Sequence, residues 1–305
     1  MAFAAGEARR MFKENAMRIT NSMMTATVKR NLFRQAKQLA GKQEIMSSGK
    51  RINRPSDDPL GFGKVLDYRR TLSSLDQYDR NIQSAKNRVE FLETTLEGVD
   101  ELIVDAKNWA VNQSGSEAMD REAAITSVQN IRDQLVQLGN SKMGNVYVFS
   151  GFQSLTPAFD ASGTYNGDNG YYSVMTADNM ELQVEADGSR VFQGAEDVFD
   201  ALDQLIVGLQ TDDVTLIRNQ IDRFDQAKDQ VEMVRAESGA KYEQLELVEQ
   251  QTAKLKLTFE DMMDSTENAV PEETIIDFNN QELAYEMSLN AAAKIIQPTL
   301  MNFLN

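Results

Sequence analysis

The 305 residues carry 47 Asp and Glu against 31 Lys and Arg, a net charge of −16, with 41% apolar and 26% charged residues. That composition belongs to a globular protein rather than a disordered one, its acidity would repel nucleic acid over most of the surface, and no run of eighteen apolar residues offers a membrane span. With no cysteine and no histidine, disulfides, thiolate nucleophiles, imidazole bases and ordinary zinc or copper sites are excluded, and no cofactor is expected.

Residues 1–16 fail as a Sec signal, because the apolar stretch is short and Arg9-Arg10 follows it instead of preceding it. Lys13-Glu14 can be encoded as a ribosome-binding sequence, so the mature chain is expected to start near Met17, with 1–16 an upstream or non-native extension. Residues 17–54 then hold nine Lys and Arg against the single acid Glu44. Met24, Val28, Leu32, Ala36 and Leu39 form one apolar stripe there, which predicts an amphipathic helix. Gly49 is placed to cap its C-terminus, and Pro55 keeps Arg54 out of helical geometry, so an extended link is expected. Asp58-Pro59 supplies a capping carboxylate followed by proline at the first helical position, with Asp57 near the same positive helix end.

From Leu75 through Tyr78, Ile82, Ala85, Val89, Leu92, Leu96, Val99, Ile103, Ala106 and Ala110, apolar or small residues advance by threes and fours. This is a heptad seam of about five heptads. A shorter helix is predicted over 121–138, with Ile125, Val128, Ile131, Leu135 and Leu138 inward. Residues 139–194 then hold eight of the seventeen glycines, which marks a β-rich insertion. Within it Glu181–Glu185 reads as a strand, Asp187-Gly188 as a hairpin turn and Ser189–Phe192 as the returning strand, with Tyr171–Val174 a further short strand. Asn166-Gly167 and Asn169-Gly170 mark turns. The Asp160–Asp168 stretch fails as a calcium loop, because Tyr165 stands where glycine is required. A second seam runs from Phe224 through Ala227, Val231, Val234, Leu245, Val248 and Leu255 to Met262, with an irregularity expected at Ser238-Gly239. Finally Leu283, Met287, Ala291 and Ile295 form a stripe in a segment that is as acidic as the first is basic, nine acids against Lys294 over 260–305. Pro298 should kink or end that last helix.

Ser47-Ser48-Gly49-Lys50-Arg51-Ile52-Asn53-Arg54-Pro55-Ser56-Asp57-Asp58-Pro59 resembles the N-terminal signature of the bacterial flagellin superfamily. The Arg54–Pro59 run is more similar to its hook-associated protein 3 branch than to filament flagellin. Met17-Arg18-Ile19-Thr20, Tyr147–Gly151 with Thr156-Pro157, and Arg235 with Gly239-Ala240 extend the likeness, which covers about residues 17–305. The ending Met301–Asn305 departs from the usual flagellin terminus.

The resemblance implies a mainly α fold: a long-helix coiled-coil bundle (55–140 and 196–264), an outer β-rich insertion (141–195), and terminal helices (17–54 and 265–305) paired as an inner polymerisation layer. It implies a structural, non-enzymatic component of the flagellum at the junction between hook and filament. Such a subunit is extracellular, exported without a Sec signal, and assembled as a ring that contacts a neighbouring junction protein, flagellin and an export chaperone. The terminal helices are expected to be apart or disordered until assembly orders them. The residues it points to for subunit contact are Ser48, Gly49, Lys50, Arg51, Ile52, Arg54, Asp57, Asp58, Leu283, Met287 and Ile295. Lys50, Arg51 and Arg54 are expected to pair with a neighbouring subunit's acids. Filament flagellin and a secreted coiled-coil protein acting on membranes are the competing readings. A glycosidase built on Asp57-Asp58 is disfavoured, because adjacent residues in a capping turn are poorly placed to flank a sugar.

Overall fold

The computed structural model describes residues 21–115, 120–168, 170–184 and 186–301, with side chains given for 23–294 of these. Expectations for residues 1–16 and Met17–Thr20, for Asn169, and for the side chains of Ile295 and Pro298 lie outside it. Seven helices occur among the described residues: α1 Asn21–Ser48, α2 Pro59–Gln113, α3 Arg121–Gly139, α4 Gly188–Phe192, α5 Val198–Thr211, α6 Val214–Glu267 and α7 Pro271–Met301. Two antiparallel pairs of short strands join them, β1 Lys142–Met143 with β2 Val146–Tyr147, and β3 Ser173–Ala177 with β4 Met180–Gln183. The chain forms two compact units, one of residues 71–258 and one of the two chain ends, up to Arg70 and from Phe259. The ends therefore take in the first turns of α2 and the last of α6, and the β-bearing insertion belongs to the 71–258 unit.

In the 71–258 unit the α2 seam is buried as its spacing requires: Ile82, Ala85, Val89, Leu92, Leu96, Val99, Ile103, Ala106 and Ala110 are all at most 2% exposed. Phe224, Ala227, Val231, Val234 and Leu245 of α6 are buried with them. Ion pairs fix the helix directions: Asp76 meets Lys256 at 2.6 Å, Lys86 meets Glu249 at 2.8 Å, Glu93 meets Arg235 at 2.7 Å and Lys107 meets Asp225 at 2.5 Å. As the α2 number rises the α6 number falls, so the two helices run antiparallel.

The irregularity expected at Ser238-Gly239 is absent, because α6 continues through it. Ser238 satisfies its buried hydroxyl by donating to the Val234 carbonyl one turn back at 3.0 Å, so the helix need not break. The outer part of the second seam is not buried: Leu255 and Met262 are exposed.

Helix α3 buries Ala124, Val128, Ile131, Leu135 and Gly139. Ile125 and Leu138 pack only partly against the core. Gly139 is needed there, since a Cβ would stand 2.7 Å from the Phe159 ring. Helix α5, which no seam above predicts, packs on α3. Asp197 starts it by accepting the Phe199 and Asp200 amides at 3.0 and 3.1 Å.

The expected hairpin over 181–192 is wrong. Asp187 accepts the Ser189 amide at 2.8 Å and caps the short helix α4, because aspartate before glycine serves an N-cap as readily as a turn. The segment 180–183 pairs instead with 173–177 through a tight turn in which Asn179 takes a φ of 57°. Asp160 turns its carboxylate onto the Ser162 and Thr164 amides, both at 2.9 Å, in a local turn. The Tyr165 hydroxyl donates to the Phe149 and Asp168 carbonyls at 3.0 Å, and burial raises its pKa.

Phe149, Phe159, Phe192 and Phe199 close the core beside these loops, with ring centroids 4.9 to 5.7 Å apart. Phe192 touches the other three and is fully buried. Phe192→Ala should therefore cost about 3–5 kcal/mol by urea unfolding of the full chain; a loss under 1 kcal/mol would show that this cluster does not hold the insertion to the helices.

Candidate assembly site at the chain ends

Helices α1 and α7 pack together. On α1 the half-buried apolar residues are Val28, Leu32, Ala36, Leu39 and Ile45, close to the predicted stripe, with Gln35 and Lys42 half-buried beside them. On α7 the stripe is displaced. Thr274, Phe278, Gln281, Ala284, Tyr285, Ser288 and Ala292 are the covered residues among those described. Leu283, Met287 and Ala291 face solvent, with Leu283 52% and Met287 60% exposed. Ala284, Ser288 and Ala292 recur every four residues, and their small side chains let the α1 backbone come close. The predicted stripe is apolar too, but it lies on a neighbouring face. Helix α7 also continues through Pro298 to Met301, so the proline does not end it.

The opposed charges of the two ends make little direct contact. Lys42 to Asp277, at 2.5 Å, is the ion pair joining α1 to α7 among the described residues. Gln281 adds an amide hydrogen bond to Gln35. Lys29, Arg30, Arg34 and Lys37 stay exposed. The terminal helices are thus paired in the single chain, contrary to the expectation that they remain apart.

The connection from α1 to α2 is a folded knot rather than an extended link. Gly49 ends α1 with φ 71° and donates its amide to the Ile45 carbonyl at 2.8 Å. Ser48 Oγ accepts the Lys50 amide at 3.1 Å. Asp57 bends the chain back by accepting the Asn53 and Arg54 amides at 3.1 and 2.9 Å, so it serves the turn and not the helix end. Asp58 caps α2 by accepting the Gly61 amide at 2.9 Å, and that bond lowers its pKa. Ile52 is buried at 2% exposure, and a Cβ on Gly61 would stand 2.6 Å from its Cδ1.

Glu267, at the end of α6, ties this knot down. Its carbonyl accepts the Arg51 and Ile52 amides at 2.8 and 3.2 Å. Asn268 bridges Lys50, and the Ala269 amide donates to the Gly49 carbonyl at 2.9 Å, a short strand-like clasp. The Glu267 carboxylate accepts Lys50 Nζ at 2.8 Å and Arg69 Nη2 at 2.6 Å. Burial pushes its pKa up, but the Lys50 and Arg69 bonds outweigh that and hold it below the usual value of 4.5. Arg51 reaches the Thr266 carbonyl at 2.7 Å and Asp58 at 3.5 Å, while Arg54 pairs with Glu44 at 2.7 Å. All three cations expected to meet a neighbour's acids are therefore engaged within their own chain. Ser48, Gly49, Lys50, Arg51, Ile52, Arg54, Asp57 and Asp58 come together here, whereas Leu283 and Met287 lie along α7. Glu267, Arg69 and Gly61 are the residues of the knot that sequence reasoning missed.

The pattern of the bacterial flagellin N-terminal helical region matches residues 19–154, which include the Ser48–Asp58 side of this knot. Over that stretch the chain is similar to the flagellin superfamily. It is 29% identical over 191 residues to flagellar hook-associated protein 3 of Escherichia coli K12, covering 61% of this chain and 58% of that protein. The Salmonella typhimurium LT2 protein of the same name is 31% identical over 49% of this chain and 48% of its own length. These alignments span about half of the curated relatives. Among solved structures, a putative flagellar hook-associated protein from Vibrio parahaemolyticus matches with a TM-score of 0.66 at 21% identity, over 70% of this chain and all of that one. FlgL of Bacillus cereus matches at 0.58 and 21% identity, over 65% and 98%. At such identities the structures establish a shared fold.

Gly49→Ala should cost about 1 kcal/mol through its positive φ alone, since the space around it is open; an unchanged Tm would remove Gly49 as a required cap. Glu267→Gln should cost about 1–2 kcal/mol, at the modest end because Lys50 and Arg69 are half exposed. Because the folded pKa of Glu267 lies below the unfolded one, its contribution is complete above about pH 4.5 and lost as pH falls through the folded value. The urea midpoint should fall on acidification through that window in the wild type and show a weaker pH dependence in Glu267→Gln. The same slope in both would exclude Glu267 as the titrating group.

Proposed function

We propose that this protein is a structural subunit of the bacterial flagellum, forming the junction between hook and filament on which flagellin assembles. The uncovered apolar face of the terminal helices carries the reading. Helix α7 exposes Ile275, Ile276, Leu283, Met287 and Leu289, and α1 exposes Met23, Met24, Phe33 and Met46. Such a number of exposed large apolar side chains on two paired helices suits a subunit awaiting its neighbours. The exposed cations of α1 and the exposed Glu272, Glu273, Glu282 and Glu286 of α7 suit contacts from copy to copy, and head-to-tail contacts of this kind close into rings or continue as tubes.

In this reading the subunit is exported through the flagellum's own type III apparatus, held beforehand by a chaperone, and seated extracellularly between another junction protein and flagellin. Membrane and nucleic acid play no part. Its role is structural and not catalytic, in keeping with Asp57 and Asp58, whose carboxylates are committed to backbone amides. Ser48 to Asp58 shape the presentation of α1, Leu283 and Met287 are contact residues, and Ile295 continues their stripe. A 30% identity over 132 residues to the flagellar filament 41 kDa core protein of Borreliella burgdorferi keeps the filament subunit as a second reading.

Deleting the gene should leave hooks intact while unpolymerised flagellin is shed into the medium. Normal filaments in the deletion strain would reject the junction role. Long filaments formed by the purified protein alone would favour the second reading.

A further inference from the structure

A groove of about 680 Å³ lies between α2 and α6 in the 71–258 unit, within the range of about 300–1,000 Å³ typical of binding clefts. It exists because Ser238 and Gly239 put almost no side chain where the heptad pattern elsewhere puts a large one, and a Cβ at Gly239 would meet nothing within 4 Å. Val89, Gly239 and Tyr242 give it an apolar floor and wall. Glu90 and Glu243 make the rim acidic, while Glu93 is neutralised by Arg235, which also lines the groove. The Tyr242 hydroxyl donates to Glu90 at 2.9 Å, which fixes the ring against the groove wall.

The same unit carries a feature of opposite shape and charge. In the loop after β2, Phe152 and Leu155 are 75% and 73% exposed, the most solvent-facing large apolar residues of this unit among those described. They are not on a loose tip. The Phe152 amide donates to Asp168 Oδ1 at 2.7 Å, Ser150 Oγ donates to the Thr156 carbonyl at 2.7 Å, and the Tyr147 amide donates to the Ser154 carbonyl at 2.8 Å. Tyr147 is in turn the cross-strand partner of Lys142, whose ammonium lies 4.3 Å from the centre of the Tyr147 ring. The fold thus presents two apolar side chains on a loop whose backbone is tied to the strand pair carrying the exposed Lys142, so the backbone's ordering cost is already met.

We propose that Phe152 and Leu155 of one copy insert into the α2–α6 groove of the next copy, with Lys142 directed to Glu90 and Glu243 of its rim. The occupant is a second copy of this chain because the unit holds both complements, an apolar knob flanked by a cation and an apolar groove flanked by carboxylates. Knob and groove are different surfaces, so the contact is heterologous and propagates from copy to copy instead of closing a two-fold dimer. The contact rests on the self-assembly reading above and adds a second interface to it, outside the terminal helices.

The native chain has no cysteine, so single-cysteine full-length variants report the contact directly. Gln153→Cys and Gly239→Cys chains, mixed at a concentration that supports self-association and then oxidised, should give a disulfide-linked dimer that neither variant gives alone. Sedimentation should show Phe152→Ala with Leu155→Ala weakening self-association at least tenfold, with the urea midpoint unchanged. Lys142→Glu should weaken it several-fold, and Glu243→Lys in the same chain should restore it. Self-association that persists undiminished in the double variant, without mixed disulfide, overturns this contact and leaves the assembly reading standing. A chain that stays monomeric at every concentration tested overturns both.

Discussion

The antiparallel pairing of α2 with α6, helices of 55 and 54 residues, is the constraint that organises the 71–258 unit. Its seam alternates wide and narrow: Leu92, Leu96 and Ile103 need room, while Ala85, Ala106 and Ala110 allow close approach. The apolar seam supplies the driving force and is insensitive to direction, because burial is non-directional. The ion pairs from Asp76–Lys256 to Lys107–Asp225 supply direction and register, because a slide by one turn would set several of them against the wrong partner. Such half-exposed pairs add little stability individually. Their contribution is to select among packings that burial alone leaves similar in energy.

The chain ends solve a different problem. A narrow stripe on each of α1 and α7 buries too little to hold two helices by itself, and the Glu267 clasp fixes the base of the pair through backbone bonds that do not depend on apolar area. Its carboxylate gathers Lys50 and Arg69, while its carbonyl gathers Arg51 and Ile52. One residue thereby fixes the turn, the capped start of α2 and the end of α6. Using the basic cluster inside the chain also leaves the cations farther up α1 as the ones available to other molecules.

Much of this was legible in the sequence where the signal is local and redundant. The α2 seam repeats its spacing many times, so single exceptions cannot mislead, and Gly49 and Asp58-Pro59 announce caps through chemistry that few other structures use. The Asp187-Gly188 pair was misleading because one dipeptide suits both a turn and an N-cap, and the choice was made by whether 173–177 or 189–192 fitted beside β4. The α7 face was misplaced because two adjacent faces are apolar and only the approach of α1 distinguishes them. Helix α5 had a readable start in Asp197 and a run of apolar residues behind it, overlooked beside the glycine-rich insertion. Glu267 offered no local sign: its importance comes from Lys50 and Arg69, about two hundred positions away.

The ladder between α2 and α6 also has a mechanical consequence. Load applied along the helix axes would strain the seam and the ion pairs from 76–256 to 107–225 together, in shear, so they would have to yield as a group. Load that peels one end sideways would break them one at a time. The unit is therefore stiff to load transmitted lengthwise and compliant to separation at an end, an anisotropy that arises from connectivity and requires no unusually strong bond.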